Sequence, residues 1–448
     1  MPLSDSILAK TVIHAKLIIF KLVSMKKAHQ TFIEPFEVDV TGIGIRGDGI
    51  AYGNGKRYFI PYSVPGDRLS ITVESSGKGD QRAKIKKIIS QSETRTDPPC
   101  QHFGTCGGCA LQHLQTNAIS ALKRGFIASA LESRGLSTHT LKQTIEIAPG
   151  LRRRVRFAVQ KSSRVKFGFF EPHSDRIVDI ELCPAIRPEI ANLIRPLHGF
   201  IATTRGLSRA ATVQVTASDN GIDILISPRK KTDLALDDRE AFARFANTYD
   251  LARIAWNGPL GPEPIAQRRE PRQRFGTAIV TPPPNAFLQP SKEGEDAIAM
   301  AASYALQGAR RIADLYAGCG ALTFPFSSIA PTHAFESDAD MVSAIKRAVG
   351  EHPVTAYLRD LTRMPLTAQE LNKFDAVVFD PPRSGAKSQA AALALSSVPL
   401  IVAVSCNPGT LARDLNLLVD GGYTLQSILP IDQFPWSPHV EAVATLRR

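Results

Sequence analysis

Phe374-Asp375-Ala376-Val377-Val378-Phe379-Asp380-Pro381-Pro382-Arg383 decides how the last third of this chain is read. The apolar run marks a buried strand. An acid and two prolines end it, and prolines fix the chain beyond the strand while removing backbone donors. Asp380 is therefore expected to project into a crevice. Three other runs share the form: Arg311–Tyr316, Thr332–Glu336 and Pro399–Cys406. Ala/Leu-rich helical stretches alternate with them. Strands that end in polar residues and lead into helices indicate an α/β domain over residues 276–448, a doubly wound parallel sheet with its ligand site at the strands' carboxyl ends.

Asp314-Leu315-Tyr316-Ala317-Gly318-Cys319-Gly320-Ala321-Leu322-Thr323 puts two glycines where a strand turns into a helix. Glycine there lets a ligand approach the backbone. Glu336 ends the next run and suits a ribose diol. A nicotinamide turn wants a third glycine, where Thr323 stands, and no Gly-Lys-Ser/Thr phosphate loop is present. S-adenosylmethionine has no pyrophosphate and fits a two-glycine turn followed by an acid. A purely structural turn is the competing reading of these residues alone.

Ser405-Cys406-Asn407-Pro408 ends the fourth run. A cysteine on a buried strand is usually an inert small hydrophobe. At a strand terminus, followed by polar residues and a proline, it faces the crevice instead. Methylation of uridine C5 needs such a thiol, because that carbon is a poor nucleophile until a thiolate adds to C6. Some local activation of the thiol is expected. A base must then remove the C5 proton. The tail Asp432–Glu441 offers His439 and Glu441, and Glu441 is preferred because it opens the apolar strand Ala442–Leu446.

Upstream, residues 32–92 alternate between short β-rich runs and glycine turns, which suggests an oligonucleotide-binding type of barrel ending in the basic strip Lys84-Ile85-Lys86-Lys87. Residues 93–275 form a second, α+β region. It opens with Cys100, Cys106 and Cys109, joined later by Cys183, and runs through a helical stretch near 111–134. Arg152, Arg153, Arg154 and Arg156 follow on one strand, read as a phosphate-contacting surface, and Pro262–Pro271 reads as a linker. Residues 1–31 are an extension with no assigned function. Leu8–Val23, interrupted by Lys10, His14, Lys16 and Lys21, is too short and too charged to span a bilayer. The net charge of +12 favours a polyanionic partner. Six cysteines in so long a chain suit metal ligation in a reducing cytoplasm better than a disulfide scaffold. Three clustered cysteines with a distant fourth fit an iron–sulfur cluster, with zinc as the alternative.

Taken together, Asp380-Pro381-Pro382-Arg383-Ser384-Gly385, Ser405–Asp414 and His439-Val440-Glu441 resemble the bacterial RNA uracil-C5 methyltransferase family, in its 23S rRNA type with a TRAM domain and a 4Fe-4S cluster. The resemblance covers residues 32–448. It implies a Rossmann-like class I methyltransferase domain, a TRAM barrel for RNA binding, and cluster ligation by Cys100, Cys106, Cys109 and Cys183. It also implies that Cys406 attacks C6, that Glu441 is the base, and that Asp380 orients the base or cofactor. Gln289, Tyr316, Gly318, Gly320, Glu336 and Asp360, with Asp380, then hold S-adenosylmethionine. The family pattern is broken at Ala321 and, where its Phe-x-Gln-x-Asn becomes Phe287-Leu288-Gln289-Pro290-Ser291, at Ser291.

The expected partner is 23S rRNA, read in a loop or single strand, and the expected state is a cytoplasmic monomer without membrane attachment. Three rivals are distinguishable. A cytosine-C5 enzyme would carry a cysteine within 380–385, which holds none. A non-catalytic ribosome-assembly protein would lack Cys406, Glu441 or Asp380. A tRNA T-loop uridine enzyme would share the chemistry and differ in its RNA.

Overall fold

Alternation and glycine turns in the first region close into a barrel. The computed structural model describes residues 34–74, 79–207 and 209–448, so the extension read over residues 1–31 lies outside the described residues. Five strands, β1 (Phe36–Ile43), β2 (Gly49–Gly53), β3 (Lys56–Ile60), β4 (Arg68–Val73) and β5 (Gln81–Ser90), form a closed barrel in the order β1-β2-β3-β5-β4. Every second residue of β1 between Val38 and Val40 points inward, and Val38, Val40, Tyr58, Ile60, Leu69 and Ile71 fill the core. Closure leaves no unpaired edge. Lys84, Lys86 and Lys87 stand exposed on β5. The chain divides into two compact units: the barrel, up to Gly44 and from Asp48 to Glu93, and the remainder, Ile45–Gly47 with Thr94–Arg448.

The second unit holds two large sheets. One has seven strands, ordered β13-β12-β11-β10-β7-β8-β9, from β7 (Arg154–Lys161), β8 (Val165–Phe170), β9 (Ile177–Asp179), β10 (Ala210–Ser218), β11 (Gly221–Pro228), β12 (Arg253–Gly258) and β13 (Gly261–Gln267). The helices Ile194–Thr203 and Leu236–Thr248 cover one face, packing Leu197, Phe200, Phe242 and Phe245 around Phe157, Val213, Ile224 and Trp256. Most of the linker expected over Pro262–Pro271 is therefore β13. Its prolines are tolerated because β13 is an edge strand, where a missing N–H costs no ladder bond. The arginine strand also differs from expectation. β7 begins only at Arg154, and Arg153 is buried in an ion pair with Glu295 rather than facing a phosphate.

The other sheet has eight strands, ordered β18-β17-β16-β19-β20-β22-β21-β6. They are β6 (Ile145–Glu146), β16 (Ile312–Leu315), β17 (Thr332–Glu336), β18 (Val354–Leu358), β19 (Ala376–Phe379), β20 (Leu400–Ser405), β21 (Thr424–Asp432) and β22 (Glu441–Arg447). The four apolar runs are β16, β17, β19 and β20. Each residue of β16, β19 and β20 is buried, as a strand covered on both faces requires. The strands from β18 to β20 are parallel, and β22 inserts antiparallel between β20 and β21. Strand order reverses between β16 and β19, where a crevice opens at the carboxyl ends. The helix Thr116–Glu132 sits with this sheet: Ile127 and Leu131 join Leu411, Leu415 and Ile428 in one core, and β6 extends the sheet beyond β21. The hairpin of β14 (Gln273–Phe275) and β15 (Ala278–Val280) likewise lends Phe275, Ala278 and Val280 to the core around Phe324 and Ile345.

Candidate active site

The crevice is a cavity of about 600 Å³, a size that suits a ligand of cofactor dimensions. Gln289, Tyr316, Gly318, Glu336, Asp360, Asp380, Cys406 and Glu441 all line it. So do Phe287, Glu295, Asp314, Arg383 and Phe434, which sequence reading had not assigned a role. Gly320 does not. It has φ +90°, and a β-carbon there would lie 2.8 Å from the Phe324 ring, so its glycine serves packing beneath the turn. His439 lines a different cavity, which leaves Glu441 as the tail residue facing Cys406.

The β16 turn is built by short bonds. Gly318 donates its amide to Glu336 Oε2 at 2.9 Å. Oε1 accepts from the amides of Ser337 (2.6 Å) and Asp338 (2.9 Å) and from the Ser337 hydroxyl. The carboxylate is thus fixed at the end of β17, with Oε1 taken by three donors and one lone pair of Oε2 left for a hydroxyl donor. Thr323, which takes the third-glycine position, donates its hydroxyl to Asp314 Oδ2. Burial, opposed by that bond, pushes Asp314 up to about 7. Tyr316 has φ +65°, the left-handed region that bulky residues rarely enter. Asp360 accepts from the amides of Thr362 and Arg363 at its own turn.

At the other end of the cavity, two acids and two amides form a chain. Gln289 Nε2 donates to Asp380 Oδ2 at 3.0 Å. Gln433 Nε2 donates to Gln289 Oε1 at 2.8 Å and to Glu441 Oε2 at 3.0 Å. Burial pushes Asp380 up to about 7, with the Gln289 bond acting against it. Glu441 is raised well above the ordinary carboxylate range, first by burial and then by the charge of Asp380; the Gln433 bond and Arg383 pull the other way. Cys406 is pushed up to about 11, by burial first and by Glu441 next, while Arg383 favours the thiolate. The local activation expected for this thiol comes from Arg383 alone and is outweighed. His439 is driven down to about 4 by burial and by Arg383, Lys123 and Arg152.

Arg153, the residue just before β7, reaches this site. It bonds the Gln289 carbonyl at 3.1 Å, Gln273 Oε1 at 3.2 Å and Glu295, and its amide donates to the Pro290 carbonyl. Ser291 caps the helix Lys292–Ala305, accepting from Gly294. The departure from the family pattern at Ser291 is thereby a helix start.

Cys100, Cys106, Cys109 and Cys183 line a second cavity of about 590 Å³. Its lining includes Arg46, Arg152, Arg154 and Arg156 and no carboxylate. Gly108 donates its amide to Cys106 Sγ at 3.4 Å. Burial raises Cys106 and Cys183, and pushes Cys109 up to about 11. The four cysteines are brought to one place, as the spacing suggested. They do not draw together into a closed ion site: among the described residues no group of three or more His, Cys, Asp or Glu is placed to hold a metal ion. Among the same residues no helix is long and apolar enough to cross a membrane.

A mostly parallel sheet with an acid after its second strand and its cavity at the switch point is the architecture of a Rossmann-like domain, the fold class of methyltransferases. The tRNA (uracil-5-)-methyltransferase family model matches residues 345–448. An uncharacterized RNA methyltransferase of Mesorhizobium japonicum is 38% identical over 91% of this chain and 97% of its own length. The 23S rRNA (uracil(1939)-C(5))-methyltransferase of Halomonas elongata is 30% identical over 92% of this chain and 89% of its own. The structure of the Pyrococcus abyssi tRNA (uracil-54, C5)-methyltransferase with S-adenosyl-L-homocysteine covers 92% of this chain and all of that one, with a TM-score of 0.70 at 23% identity, a likeness of fold. The chain belongs to the S-adenosylmethionine-dependent RNA uracil-C5 methyltransferase family.

Proposed function

We propose that this chain methylates C5 of a uridine in 23S rRNA, with Cys406 as nucleophile and Glu441 as base. The observation that carries the reading is one cavity lined by Cys406, Glu441 and Asp380 together with Glu336 and Gly318. The rRNA target rests on the Halomonas elongata relative. S-adenosylmethionine, held along Gln289, Tyr316, Gly318, Glu336, Asp360 and Asp380, supplies an electrophilic methyl group.

The residues divide the work by their surroundings. The Cys406 thiol, pushed up to about 11, is protonated at neutral pH and attacks as the small thiolate fraction that Arg383 favours. Addition to C6 makes C5 nucleophilic. Asp380 orients the pyrimidine or the cofactor. Glu441, buried and raised well above the ordinary carboxylate range, is a stronger base than an exposed carboxylate, which suits removal of the C5 proton. The uridine must leave its stack at a cost of a few kcal/mol, which favours a loop or single strand. The N-terminal barrel, read as a TRAM domain, supplies further RNA contacts through Lys84, Lys86 and Lys87, and the chain acts as a cytoplasmic monomer.

The cysteine cavity is read as the seat of a 4Fe-4S cluster. A single zinc draws four sulfurs within about 4 Å of one another, at Zn–S distances near 2.3 Å. A cluster holds them farther apart, and a lining of arginines without carboxylates offsets its anionic thiolates. Its chemistry here is structural, holding residues 100–113 in shape.

The test is adduct trapping on 5-fluorouridine RNA, alongside mass-mapping of 5-methyluridine in cells lacking the protein. Wild type should form a stable adduct, Cys406→Ala none, and 23S rRNA should lose one or more 5-methyluridines. An adduct that survives Cys406→Ala ends the covalent reading, and loss confined to tRNA moves the substrate to the T-loop.

A further inference from the structure

Gln433 has no part in the scheme above, yet it touches Glu441 directly and Asp380 through Gln289. It follows directly on β21, is almost fully buried, and its Nε2 reaches both Glu441 Oε2 (3.0 Å) and Gln289 Oε1 (2.8 Å). Gln289 in turn holds Asp380. With both acids ionised, as Glu441 must be to act as a base, each amide presents its NH2 toward a carboxylate. The Gln433 carbonyl oxygen has no hydrogen-bond partner among the described residues and lies beside Gly294, where an added β-carbon would stand 2.5 Å from it. Turning the amide over would set that oxygen against the Glu441 carboxylate.

The loop that carries Gln433 is itself anchored. Asp432 forms a buried ion pair with Lys123, whose ammonium also donates to the Phe434 carbonyl at 2.9 Å. Gly294 at the start of the helix Lys292–Ala305 leaves space that a larger residue would close. Register pairs Ile431 with Glu441 across β21 and β22, so Gln433 and Glu441 meet at the loop end of one hairpin.

We propose that Gln433 is a positioning residue for proton removal: its amide holds Glu441 in the aim that takes the C5 proton and links it through Gln289 to Asp380. This rests on Glu441 being the base. In that step the Glu441 carboxylate takes the C5 proton, the C5–H electron pair becomes the C5=C6 bond, and the C6–S pair leaves with Cys406 as thiolate. Nothing is oxidised or reduced. Gln433 touches neither ring carbon. Its loss should slow this step while leaving addition and methyl transfer in place. The groups facing Glu441 are Asp380, Arg383, Cys406 and Gln433. Removing the one amide donor among them leaves burial and Asp380 to raise the acid further.

The test uses the full-length protein with Gln433→Met, Gln433→Glu and Glu441→Gln. With unmodified RNA and S-adenosylmethionine, Gln433→Met should turn over about ten- to hundredfold more slowly, the value of one hydrogen bond to a charged group. The covalent protein–RNA adduct should accumulate on a denaturing gel, with kcat/KM for both substrates changed less than about threefold, because KM falls together with kcat when only a step after methyl transfer is slowed. Its trapping on 5-fluorouridine RNA should match wild type, because there the C5 fluorine blocks proton removal in every variant. Gln433→Glu, which sets a second acid against Glu441, should move the acid limb of the kcat profile to higher pH, since the base must ionise to act.

If Glu441→Gln accumulates adduct while Gln433→Met turns over like wild type, the role of Gln433 is overturned and the base reading stands. If Glu441→Gln accumulates none, the base reading falls and takes this inference with it. Failure of Gln433→Met to trap on 5-fluorouridine RNA, or a Gln433→Glu profile that coincides with wild type, also overturns it.

Discussion

Gly318 and Gly320 stand two residues apart in one turn, both at positive φ, and the structure gives them opposite burdens. At Gly320, φ is +90° and an added β-carbon would meet Phe324 at 2.8 and 2.9 Å and Ile345 at 3.3 Å. Left-handed backbone costs an L-residue about 1–2 kcal/mol. Forcing a methyl into a packed core adds about 1–3 kcal/mol. Gly320→Ala should therefore lose about 2–5 kcal/mol of stability. At Gly318, φ is +55° and an added β-carbon meets nothing within 4 Å, so only the backbone strain applies, about 1–2 kcal/mol. Gly318, however, lines the cavity, where a ligand lies against the backbone. Its methyl should weaken S-adenosylhomocysteine about tenfold, or about 1.4 kcal/mol. Urea unfolding followed by tryptophan fluorescence reads the first quantity, and calorimetric titration reads the second. Trp256 in the seven-stranded core and Trp436 in the tail report from two places. The expected result is a crossing: Gly320→Ala is the less stable variant, and Gly318→Ala binds the nucleoside more weakly. A Gly320→Ala protein within 0.5 kcal/mol of wild type, or one that binds more weakly than Gly318→Ala, would refute the division (about 0.5 kcal/mol being an ordinary surface effect).

Two further outcomes follow from buried charge. Lys123→Met leaves Asp432 buried and unpaired, which should cost about 3–5 kcal/mol in urea unfolding, and Lys123→Met/Asp432→Asn should recover most of it. The Cys406 thiol, pushed up to about 11 mainly by burial, should be alkylated by iodoacetamide about tenfold faster for each pH unit between 7 and 10, as resolved by peptide mass spectrometry, with Arg383→Met slower throughout.

The parts of this molecule that were legible in the sequence are those whose signal is local. β16, β17, β19 and β20 lie within the four apolar runs because strands covered on both faces need unbroken hydrophobicity over a few residues. Strand ends then placed Asp380 and Cys406 in the crevice, and a two-glycine turn placed Gly318 beside Glu336. Gln433 and Arg153 were invisible for the opposite reason. Gln289, which Gln433 meets, lies 144 residues away, and Glu295, which Arg153 meets, lies 142 away; nothing near Gln433 in the chain says that its amide bridges Gln289 and Glu441. Gly294 was the one local trace, a glycine in the first turn of a helix, where it lowers helix propensity and needs a tertiary reason. Pro262 and Pro264 misled because proline argues against a strand only where its missing N–H would be used, and edge position is a property of the sheet.

The tail from Gln433 to Glu441 joins two features that the sequence presented separately. Phe434 and Glu441 line the methyltransferase cavity, while Pro435, Ser437, Pro438 and His439 line the cysteine cavity. Between them Trp436 sits at φ +61°, a conformation that costs a bulky residue about 1–2 kcal/mol unless its surroundings impose it. They do. The amides of Ala110 and Leu111, directly after Cys109, both donate to the Trp436 carbonyl at 2.9 Å. Two such bonds, each worth about 1 kcal/mol net, are of the size needed to hold the strained turn. Ordering of residues 100–111 and the placement of Glu441 are therefore linked through one carbonyl. A disturbance of the cysteine loop should reach the acid at the cavity floor before it reaches the β16 turn, whose bonds to Glu336 are all made within the methyltransferase sheet.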